Sequence, residues 1–185
     1  MKQPRYGLLL FVFLILPPVA NLLESIMIVH MHMQLPLLVI AGFLMAPFFQ
    51  TKFSGVFRKW NSNGIPGIAL VVIIWSYWMI PRMMDEALTI QMVEIFKFIS
   101  LPFLVGVPLR DSWKKIGTGV KDTVYILLTL MLITMAWIYI GADQQICNNY
   151  LLVEQQTVGW GSLAMAGCLI IYFLQLTLGD RSEYE

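Results

Sequence analysis

The feature that most constrains this chain is a series of six apolar windows, separated by short segments that hold nearly all of its charge. They cover residues 7–29, 35–49, 65–80, 86–107, 123–141 and 158–178. A helix that crosses hydrocarbon needs about 20 mostly apolar residues, so each window predicts a membrane span. Together they predict one all-α, polytopic helical bundle over residues 1–185. Composition agrees, because 58% of the residues are hydrophobic and 12% charged, roughly half the charged share of a soluble domain. A net charge of +1 offers no field for nucleic acid, two cysteines do not make a disulfide framework, and the apolar excess excludes disorder.

Two windows carry interruptions. Pro17 and Pro18 remove backbone donors and either kink the first span or divide it. The second window is short unless its helix begins in the His/Met stretch before it. Met1 to Leu16, with Lys2 and Arg5 ahead of an apolar run, also has the outline of a signal peptide. Pro18 stands where such a cleavage site wants a small side chain, so a retained first helix is expected.

Basic residues are held on the cytoplasmic side during insertion. Lys2, Arg5, Lys52, Arg58, Lys59, Arg110, Lys114, Lys115, Lys121 and Arg181 all fall in the four segments that six spans place on one side. The opposite segments hold only Arg82, and Lys97 lies inside the fourth window. Both termini are therefore expected in the cytoplasm of a cell inner membrane. Residues around 30–34, 81–86 and 142–157 face outward.

That topology places two chemically unusual segments, Glu24 to Gln34 and Trp75 to Glu86, at the outer boundary. They contain Met27, Met31, Met33, Met79, Met83 and Met84, half of the 12 methionines, and both histidines, His30 and His32. Thioethers with imidazole suit monovalent copper. On a helix Glu24, Met27 and Met31 share a stripe, with His30 beside Met27 and His32 about 200° from His30. In an extended loop the two histidines share a face instead. Either geometry offers at most about three ligands, so a metal site would draw on His30, His32, Met27, Met31 and Met33, closed by Met83, Met84 or Asp85. The alternative is that the methionines are adaptable core filler. Haem is disfavoured, because histidines two apart cannot reach opposite faces of a porphyrin.

Glu94 and Lys97, three apart inside a span, are positioned to neutralise each other. Asp85 and Glu86 would begin the same helix, where its dipole favours negative charge. Cys147 is expected exposed in an outer loop and Cys168 buried mid-span. Gly159, Gly161, Ala164, Ala166 and Gly167 would admit a close helix, either for internal packing or for docking a partner. Phosphate loops, nucleophile elbows and zinc signatures are absent from the sequence, so no enzyme is expected.

His30-Met-His-Met-Gln-Leu-Pro-Leu37 followed by Gly42 and Pro47 resembles the histidine-methionine helix of the CtaG family of cytochrome oxidase assembly factors. Trp78-Met-Ile-Pro81, Asp85-Glu-Ala-Leu88 and Trp113 are similar to that family's later stretch, so the likeness spans residues 24–113. It implies a protein acting at the outer face in maturation of a haem-copper oxidase, with His30 and His32 carried over and Pro81 and Asp85 at structural positions. The family's later histidines are replaced here by Gln91, Glu94 and Lys97. The leading expectation is assembly of, or copper handling for, a respiratory copper enzyme. The alternatives are a non-catalytic accessory subunit of a large membrane complex and, third, a channel or transporter. The expected partners are the lipid bilayer and other membrane subunits.

Overall fold

In the computed structural model, which describes residues 3–179, the chain is helical with no strand among the described residues. Lys2 and Arg181 of the basic set lie outside that range. The helices are α1 (Gln3–Ile15), α2 (Pro17–Glu24), α3 (Met27–Lys52), α4 (Ser54–Trp60), α5 (Ile65–Trp78), α6 (Pro81–Thr89), α7 (Gln91–Trp113), α8 (Thr118–Gly141) and α9 (Leu152–Leu178). Four of them, α3, α7, α8 and α9, are long and apolar enough to cross a membrane. The pairs α1/α2 and α5/α6 qualify only as bent units, at 71° and 72°, so the candidate spans among the described residues number four to six.

Prolines set the breaks. Leu16 and Ile80 are extended, with ψ 127 and 121, as residues preceding proline tend to be. Pro17 and Pro81 then open the next helix, where a missing N–H costs no bond. The first window is therefore divided rather than kinked. The fourth is corrected as well: residues 81–89 form a separate short helix, and the span starts at Gln91 after extended Ile90. Asp85 and Glu86 sit within α6 and do not cap the span. Residues 30–34 are not a loop, since α3 starts at Met27 and passes through them as a π turn.

That π turn has a counterpart in α7. The amide of Leu35 donates to the His30 carbonyl and the amide of Val107 to the Pro102 carbonyl, each five residues back and each just before a proline. Pro36 and Pro108 cannot continue the α ladder, and the widened turn absorbs the disruption.

The two π-bearing helices cross at the centre of the molecule. A Cβ on Gly42 would lie 1.9 Å from the Pro102 carbonyl oxygen, and one on Gly106 2.3 Å from that of Val39. Only glycine permits this approach. Gly7 also brings α1 close to α3, its Cβ position 2.7 Å from Ala41 O. The core above the crossing holds Met27, Met31, Leu35, Trp78, Met84, Leu101 and Tyr139. Helices α8 and α9 form an antiparallel hairpin at the side, with Tyr125 against Tyr172 and Ile140 against Gly159.

Polar groups collect at both ends of α3. At its C-terminal end, Arg110 donates to Gln3 (3.1 Å), Gln50 to Asp111 (3.1 Å), Asn61 to Asp111 (2.7 Å) and Lys115 to Asp111 (2.6 Å). Chain start and basic loops thus meet at one end. The His/Met stretch occupies the other.

Candidate functional site

A lysine inside an apolar helix is costly unless its charge is matched. Lys97 of α7 is completely buried, and its partner is Glu24, not Glu94. The last residue of α2 carries its carboxylate to within 2.5 Å of the Lys97 ammonium. Glu94, three residues back on α7, is only half-buried and does not form the ion pair.

The remaining ammonium protons go to the π turn of α3. Lys97 Nζ is 3.3 Å from His30 Nε2 and donates to Gln34 Oε1 at 3.5 Å, while Gln34 Nε2 donates to Glu24 Oε1 at 3.0 Å. His30 and Gln34 are four apart and both fully buried, so one face of the turn supplies both contacts. On the far side of the imidazole stands Tyr150, from the loop before α9. Its hydroxyl donates to the Glu24 carbonyl oxygen (2.7 Å) and lies 2.9 Å from His30 Nδ1. A phenol has one proton, so the Tyr150 oxygen accepts from His30 Nδ1–H and leaves the Nε2 lone pair to accept from Lys97. Each strong donor meets an acceptor, and the charges of Glu24 and Lys97 cancel.

Tyr150 is held by its own loop. Gln155 Nε2 and Gln145 Nε2 both donate to its carbonyl, and Gln155 Oε1 accepts from the Ile146 amide at 2.9 Å. Burial, with Glu24 adding to it, pushes the Tyr150 phenol above the ordinary tyrosine range, so it stays a donor. Asp85 of α6 pins the same loop. Its carboxylate accepts from Asn149 N (3.1 Å), Asn149 Nδ2 (2.7 Å) and Asn148 Nδ2 (3.1 Å). Glu86 instead pairs with Arg82 on the surface at 2.7 Å.

The eight residues singled out for metal binding fall into separate environments. Met27, Met31 and Met84 share the apolar core, with Met83 packed against it, while Met33 is 51% exposed. His30 belongs to the ionic network, and Asp85 to the loop. His32 turns toward α9, where Nε2 is 3.1 Å from Ser162 Oγ and Nδ1 is buried without a partner. Among the described residues no three His, Cys, Asp or Glu side chains are grouped to hold a metal.

The cysteines are the reverse of expectation. Cys147 is buried, 3.8 Å from Tyr139 Oη and 3.9 Å from the Pro81 carbonyl oxygen. Burial raises its thiol pKa, and nearby Asp85 adds to the rise. Cys168 is exposed on α9. The small residues of α9 divide too. Gly159 meets Tyr139 and Ile140, Gly161 meets Ile28 and His32, and nothing lies near Gly167.

Gln34, Tyr150 and Ser162 are the functional-site residues that motif reading passes over, and Glu24, placed on a stripe with Met27 and Met31, was not matched to Lys97. One signal was available for Glu24: it is the only carboxylate before residue 85, and a buried lysine needs one. Fold and site together define a protein whose described residues are helical, with helices long and apolar enough to cross a membrane and a closed ionic network at one end. No protein-family model, curated protein or solved structure matches the chain.

Proposed function

We propose that the chain is a non-catalytic, multi-pass cell-membrane protein that assists assembly of a respiratory haem-copper enzyme. Its basic end faces the cytoplasm, and its outer end serves as a preformed scaffold for that larger complex. The observation that carries this reading is the mutual satisfaction of the outer-end groups. The ammonium, carboxylate, imidazole, amide and phenol of Lys97, Glu24, His30, Gln34 and Tyr150 bind one another, as a rigidifying network does. The likeness of residues 24–113 to the CtaG family supplies the class of partner. Extraction from native membranes in mild detergent, followed by identification of co-migrating chains, tests it. Subunits of a haem-copper oxidase should migrate with the protein, and migration alone would refute the reading.

A second reading, handling of Cu(I) in the His/Met stretch, is favoured by the buried, partnerless Nδ1 of His32. His32 would supply the imidazole, with thioethers from its methionine neighbours. Elemental analysis after Cu(I) loading and washing distinguishes the two. The scaffold reading expects equally low copper in wild type and His32→Ala, and the copper reading expects a loss confined to the variant.

A further inference from the structure

Helix α4 lies at the basic end and has no buried residue. It exposes Val56 (61%) and Trp60 (43%), with Phe53 just before it (46%). Lys52, Arg58 and Lys59 stand on and beside it. None of the three has a carboxylate within ion-pair distance among the described residues, where the ion pairs are Arg82–Glu86, Lys97–Glu24 and Lys115–Asp111. Exposed aromatics mixed with unpaired cations are the composition of a helix lying in the headgroup layer.

Beside α4 opens a cleft of about 250 Å³, lined by Phe49, Phe53, Val56, Phe57, Phe103 and Val107. No lining side chain is polar, so hydrocarbon can enter where a headgroup cannot. Its aromatic wall is braced: Phe49 stacks on Phe53 with centroids 6.4 Å apart and meets Phe103 edge-on at 5.7 Å. The rim is charged. Lys52 Nζ sits 6.0 Å from the Phe53 ring and 5.6 Å from that of Phe48, which fixes a cation at the mouth of an apolar slot.

We propose that this cleft binds one anionic phospholipid, with an acyl chain against Phe49, Phe53 and Phe103 and the phosphate at Lys52 and Arg58 or Lys59. Charge complementarity selects the occupant. A second copy of the chain would bring the same three cations face to face across a two-fold contact, and a zwitterionic lipid sets its own ammonium beside them.

Native mass spectrometry of the delipidated protein tests the assignment, with phosphatidylglycerol and phosphatidylcholine of identical acyl chains as probes and glycerol phosphate as soluble competitor. Phosphatidylglycerol should occupy one site per chain with about thirtyfold preference over phosphatidylcholine, from two cations at roughly 1 kcal/mol each. K52Q/R58Q/K59Q should abolish the preference, and V56W, which fills the cleft and keeps the charges, should weaken both lipids. Val56 is largely exposed, and an unchanged melting temperature shows that V56W folds. Equal binding of the two lipids, displacement by glycerol phosphate, or binding in the well-folded V56W that matches wild type would overturn it.

Discussion

Lys97 and Glu24, 73 residues apart in the chain, meet at 2.5 Å with the lysine side chain fully buried. Removing one partner of such a pair leaves the other charge uncompensated, which costs about 3–5 kcal/mol, whereas replacing both by neutral groups can be close to neutral. Lys97→Met should therefore lower thermal stability in detergent sharply. Glu24→Gln in the same chain should recover most of the loss. A double variant as unstable as Lys97→Met would show that the pair is not the source of the effect.

The crossing of α3 and α7 makes a second prediction. Gly42→Val would drive side-chain carbons into the Pro102 backbone, an overpacking that costs about 1–3 kcal/mol and more where backbone cannot yield. Gly167→Ala meets open space and should fall within about 0.5 kcal/mol of wild type, or above it through helix propensity. Parallel unfolding curves for the two variants check this.

Much of the architecture was legible because hydrophobicity alone reports spans. The helices α7, α8 and α9 overlap the expected windows, with ends that differ by up to six residues. The helix breaks were misread for a local reason, the prolines at 17 and 81, whereas the site was misread because its contacts join segments far apart in sequence. Lys97 has an acid three residues away, and local spacing favours Glu94. Only the break at Pro17, which turns α2 by 71°, presents Glu24 instead. Tyr150 sits in a loop with no motif, and its role follows from the position of the α8–α9 hairpin. The His/Met stretch was visible at once, but the π turn that sends His30 to Lys97 and His32 to Ser162 has no sequence signature beyond Pro36.

Cys147 offers a chemical probe of the loop before α9. Its thiol is buried, and its pKa is raised first by desolvation. At neutral pH it is held in the unreactive thiol form. In a Cys168→Ser background, alkylation should be slower than for a free thiol, because the sulfur is buried and its thiolate fraction is reduced. It should reach completion on unfolding in dodecyl sulfate. Its onset should lie at higher pH than that of free cysteine, and native stability should fall as pH rises past the ordinary thiol value, where only the unfolded chain ionises freely. Rapid native labelling at neutral pH would contradict the buried placement.

Asp85 should matter to the loop and little to the rest. Asp85→Ala deletes the acceptor for three bonds from Asn148 and Asn149. Amide exchange across residues 142–151 should accelerate, with global stability reduced by about 1–2 kcal/mol. Glu86→Ala breaks only a surface pair with an 80% exposed arginine and should leave both exchange in the loop and global stability close to wild type. Exchange mass spectrometry resolves the two.

The most direct test of the assembly role is the amount of haem-copper oxidase, read from the reduced-minus-oxidised haem spectrum, in membranes of cells lacking the gene. The account predicts a loss of assembled oxidase that is restored by the wild-type gene. An unchanged oxidase spectrum in the deleted cells would contradict it.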